Sequence, residues 1–145
     1  MTEVEIFWPA SLPASPAHEA EAALRQAGIE ATCRLQPVRR GAESVLVLLT
    51  NSALEPVLGA VFSRLSDEVW HGLAAVVARL LKHTAGHPAP KVVIFESAAS
   101  GAQFVFTSDL PEDAFRKAIE IDPGTRPGRW MWDQDKKQWI RFEDR

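Results

Sequence analysis

Five consecutive apolar residues, Val45-Leu-Val-Leu-Leu49, constrain this chain more than any other stretch. The run has strand length and leaves no polar residue on either side of the pleat. It predicts a central strand buried on both faces. Other strand runs surround it. Glu3-Val-Glu-Ile-Phe-Trp8 alternates and is closed by Pro9, and Ile29 to Val38 alternates loosely. Lys91 to Glu96 and Gln103 to Thr107 read as strands joined by the small-residue turn 97–101. Arg129 to Asp133 and Gln138 to Phe142 read as a hairpin around Gln134-Asp-Lys-Lys137, with Asp133 and Asp135 as turn formers.

Helical periodicity lies between these runs. Ser15-Pro16 starts a helix whose narrow stripe Ala20, Leu24, Ala27 ends at Gly28. Such small residues suit close packing on a sheet. A longer stripe runs from Leu54 through Leu58, Val61, Leu65, Val69, Leu73, Val76 and Val77 to Leu80, which predicts two helices or one kinked near Ser66. Gly59 and the β-branched residues give 57–62 a rival reading as a strand. Asp109, Pro111, Glu112 and Asp113 open a short helix, their charges suited to its positive end.

The expected order is β-α-β-β-α-β followed by β-α-β-β. This is an α+β fold with a ferredoxin-like βαββαβ core and a mainly antiparallel sheet, in which the second and third strands form a hairpin. The core runs to about residue 107 and carries an added strand. A helix and a tryptophan-rich β-hairpin over about 108–145 extend it. With 145 residues, 46% hydrophobic and 24% charged, the chain has the size and composition of one domain with a real core, so one domain is expected over 1–145.

Composition narrows function by exclusion. The single cysteine, Cys33, has no internal partner for a disulfide and reads as a buried strand residue. Residues 1–8 lack the pattern of a secretion signal, and no apolar stretch approaches a membrane span. The expectation is a soluble cytoplasmic protein without a membrane role. A net charge of −3 without a basic stripe argues against nucleic-acid binding. No phosphate loop, dinucleotide fingerprint or nucleophile elbow occurs, and no cofactor is implied.

Five tryptophans and no tyrosine stand out, three of them at 130, 132 and 139. On paired strands Trp130 and Trp132 share a face, Met131 lies opposite, and Trp139 pairs with Trp132. They serve either to glue the hairpin to the domain or, with Arg129 and Arg141, to form a partner-binding patch. Trp8 and Trp70 are expected in the core. The leading expectation is a non-enzymatic interaction or regulatory module. It binds a protein partner, a basic one suiting its acidic charge, with homodimerisation also open. The alternative is a small enzyme or ligand binder with a pocket between sheet and hairpin, drawing on His83, His87, Glu96 and Asp109. His83 and His87 have a metal-like i, i+4 spacing, but Gly86 and Pro88 break the helix that would make it meaningful, so no metal is expected.

Overall fold

The computed structural model describes residues 3–10, 12–26, 28–36, 44–50, 69–81, 92–98, 101–121 and 128–142. The stripe at 54–68, the rival strand at 57–62 and the turns at 39–41 and 122–127 lie outside them. Seven strands form one sheet: β1 (Glu3–Pro9), β2 (Glu30–Gln36), β3 (Ser44–Thr50), β4 (Val92–Ser97), β5 (Ala102–Thr107), β6 (Gly128–Asp133) and β7 (Gln138–Phe142). Three described helices accompany them: α1 (Ser15–Gln26), α2 (Val69–Leu80) and α3 (Glu112–Ala118).

The strand order is β2-β1-β3-β4-β5-β6-β7. It corrects the ferredoxin-like expectation. β2 and β3 do not form a hairpin; they flank β1, with β2 parallel to it and β3 antiparallel. β3–β4 and β5–β6 are also parallel pairs, whereas β4–β5 and β6–β7 are antiparallel. The sheet is therefore mixed, built from three β-α-β units, β1-α1-β2, β3-α2-β4 and β5-α3-β6, with β7 closing a hairpin at one edge. Side-chain alternation encodes which face a residue takes but not which strand lies beside it. The chain returns to the adjacent strand in each unit, after 20 residues in the first and third and 41 in the second. Relative to strand direction, the third unit steps across the sheet in the opposite sense to the first two. With the helices on one face, its crossover has the opposite hand.

The helices form one layer, α1 against α2 and α2 against α3. Beneath them lie Val4, Ile6 and Trp8 of β1, Val45, Val47 and Leu49 of β3, Val93 and Phe95 of β4, and Phe104 and Phe106 of β5. Ala17, Ala20 and Leu24 bring α1 down on the sheet, while Leu73, Val76, Val77 and Leu80 do so for α2 and Ala114, Phe115 and Ala118 for α3. The stop of α1 follows from Gly28. Its φ of 86° lets its N–H bond the Arg25 carbonyl while Ile29 N–H reaches Leu24, a Schellman end sealed by two buried side chains. Burial on both faces of β3 is not observed. Val45, Val47 and Leu49 are buried under the helices, but Leu46 and Leu48, on the other side, are only half-buried.

Candidate functional site

The tryptophans of the C-terminal hairpin lie on the helix side. The register pairs Trp132 with Trp139, and Trp130 with Phe104 on one side and Arg141 on the other. Trp139 is 7% exposed, donates its Nε1–H to the Ala114 carbonyl at 2.8 Å and meets Phe106 edge-on at 5.2 Å. Trp132 meets Trp139 edge-on at 5.8 Å, donates to Gln134 Oε1 at 2.9 Å and carries the Lys117 ammonium 5.7 Å from its ring centroid. Trp130 stacks on Phe104 at 6.0 Å. The three rings thus join the hairpin to α3 and β5, and Trp8 is likewise in the core. The side chain of Trp70 falls outside the described residues. The turn is as expected at Asp133, whose Oδ1 accepts the N–H groups of Asp135 and Lys136.

The pocket candidates do not come together. His83 and His87 lie outside the described residues. Glu96 Oε1 accepts a bond from Gln103 Nε2 at 2.7 Å. Asp109 follows the far end of β5 and accepts a short bond from the Thr107 hydroxyl. Thr107 is level with Val92, so about 13 Å of β4 separates the two levels. Among the described residues no cluster of three or more His, Cys, Asp or Glu is placed to hold a metal ion. A cleft of about 370 Å³ does occur between α2 and α3, lined by Ala74, Val77, Leu81, Thr107, Ser108 and Phe115. It is mostly apolar and lies away from the sheet–hairpin junction.

The surface with the strongest pattern is the sheet face turned away from the helices. One row crosses all seven strands, Arg34, Phe7, Leu46, Ile94, Val105, Met131 and Ile140, in which Val105 and Met131 each follow the last β5–β6 pair, Phe104 with Trp130. Six of the seven are apolar. Phe7, Leu46, Ile94, Val105 and Ile140 are half-buried, and Met131 is 43% exposed. The next row reads Thr32, Glu5, Leu48, Glu96, Gln103, Arg129 and Phe142, and Phe142 is 54% exposed. Arg34 pairs with Glu5 at 3.3 Å, and Arg129 Nε donates to Gln103 Oε1, which ties it to Glu96. No described helix lies over this face.

Apart from Arg129, Glu96 and Met131, sequence reasoning did not single out these residues, and it did not place those three on one face. The signal was present in β3 and in Val92-Val-Ile-Phe95, where both sides of the pleat are apolar. Strand order was needed to see that the surplus side chains line up. No family model matches the chain, and neither a curated protein nor a solved structure matches it significantly.

Proposed function

We propose that this chain is a non-enzymatic protein-interaction module that docks a partner on the open face of its sheet. The observation that carries the reading is the apolar row from Phe7 to Ile140, across strands whose other side is already packed under helices. The sheet measures about 30 Å by about 20 Å, close to 600 Å² in projection. The apolar row takes about a third of that area, with Leu48 and Phe142 extending it into the next row, and a contiguous apolar patch rimmed by polar residues marks an interaction surface. The C-terminal hairpin takes part through Arg129, Met131, Ile140 and Phe142 on its outer side, while Trp130, Trp132 and Trp139 hold it in place from within. The face mixes Glu5, Glu96 and Asp133 with Arg34 and Arg129, so it gives no preference for a basic partner.

The test is affinity capture from the native source with three baits: the unaltered chain, Ile94→Lys on the open face and Glu19→Gln on the helix side. The expected result is a stoichiometric partner, a second copy included, retained by Glu19→Gln and lost with Ile94→Lys while the far-ultraviolet spectrum stays unchanged. Equal capture by all three removes the open face from the reading. A second reading, a small-molecule binder, draws support from the α2–α3 cleft, whose volume falls in the range of ligand sites. Ligand-induced thermal shifts abolished by filling the cleft with Ala74→Phe would favour it.

A further inference from the structure

Building on that docking face, we infer that its occupant is a second copy of this chain, packed sheet against sheet about a two-fold axis parallel to β4. Three features support this. First, β4 is the middle strand, with β2, β1 and β3 on one side and β5, β6 and β7 on the other. A two-fold along β4 therefore lays the whole face on itself, β1 over β6 and β3 over β5, at the usual ~10 Å separation of packed sheets. In the apolar row this brings Phe7 over Met131, Leu46 over Val105 and Ile94 over its own copy.

Second, the charges are self-complementary about that axis. Glu5 and Arg129 occupy the same row, each two strands from β4 on opposite sides. The two-fold brings Glu5 of one copy over Arg129 of the other, twice per dimer. The alternative in-plane axis, perpendicular to the strands through the apolar row, sets Arg34 over Arg34 and Glu5 over Pro9, and the one opposite-charge meeting it makes on this face is Arg129 over Asp133. Only Glu96, on the axis, meets its like, and each Glu96 keeps its Gln103 bond. Third, the whole sheet face, about 600 Å² in projection, approaches the roughly 800 Å² per partner of a standard interface.

The experiment uses the purified full chain, with sedimentation velocity and light scattering from low to high micromolar concentration. The expected species has twice the 16.0 kDa chain mass. Ile94→Lys should be monomeric with an unchanged far-ultraviolet spectrum. Glu5→Arg and Arg129→Glu should each weaken self-association by about tenfold or more, since each homodimer then holds two like-charge meetings. Mixing these two variants should restore it, because each supplies the sign the other lacks; a purely structural role for either residue predicts no rescue. Glu96→Gln should tighten the dimer. A monomer at every concentration, a dimer that survives Ile94→Lys, or a charge-swapped mixture without rescue overturns the inference. A monomeric chain that still captures a different protein, and loses it with Ile94→Lys, overturns the self-pairing alone and leaves the docking face standing.

Discussion

Trp130 and Trp139 lie on neighbouring strands with opposite hydrogen-bonding fates. Trp139 gives its indole N–H to the Ala114 carbonyl, whereas the buried Nε1 of Trp130 has no partner among the described residues. A buried donor left unpaired costs roughly 1–3 kcal/mol, so removing the group has opposite consequences at the two sites. Trp139→Phe should destabilise by about 1–3 kcal/mol, while Trp130→Phe should stay within about 1 kcal/mol of the parent. Urea titrations with unchanged m-values check this, and equal losses at both sites would contradict it. Cys33 supplies a second prediction. The expected burial is only half realised. Even so, burial raises the thiol above its ordinary value, and the nearby Glu21 carboxylate adds to the rise. The folded chain therefore holds this proton where the unfolded chain releases it. That contribution to stability is complete below the unfolded thiol value of about 8.5 and is lost as pH rises through the folded one. Alkylation at mildly alkaline pH should be several-fold slower than in the unfolded chain, and Glu21→Gln should speed it by weakening the charge effect. A parent rate equal to that of the unfolded chain would contradict both.

The same Glu21 shows how a helix protects a strand. β2 is an edge strand, paired with β1 alone, and its outward backbone groups would invite another chain. Glu21 Oε2 accepts the Cys33 N–H at 2.6 Å, and Arg25 Nε donates to the Ala31 carbonyl at 2.9 Å. The two side chains, one turn apart on α1 and 3.8 Å from each other, thus occupy the β2 edge. Glu21→Ala should cost about 1.5 kcal/mol and, combined with Arg25→Ala, should raise the aggregation rate on storage, read by light scattering. No change in aggregation would mean that the edge is guarded by something else. The end of α1 was legible in the sequence, because Gly28 and its hydrophobic neighbours act within one turn. The edge protection was not, because it joins residues six and twelve apart across the helix–strand connection, which alternation does not encode. The short α3 falls between these cases. Glu112 and Asp113 in its first turn were readable, but Asp109 lies outside it and bonds Thr107 instead.

For the whole molecule, the strand and helix segments within the described residues were readable from periodicity, whereas their arrangement was not. Ile6 or Phe95 declares itself apolar and alternating, but nothing local in β2 says that it joins β1 rather than β3. The same gap hid the docking face, since Phe7, Ile94 and Met131 become one row only through the strand order. Trp130, Trp132 and Trp139 drew attention because they are rare residues, and they turned inward because the larger apolar surface gains more from burial against Phe104, Phe106 and α3. If the outward row closes on a second copy, folding and association are linked, and stability depends on concentration. For a dimer of this chain length the thermal midpoint should rise by about 2 °C for each tenfold increase in protein concentration. Ile94→Lys should flatten that slope while keeping a cooperative transition. A midpoint independent of concentration in the parent chain would mean that the apolar row does not carry a second copy, and that its cost of exposure is borne by the monomer.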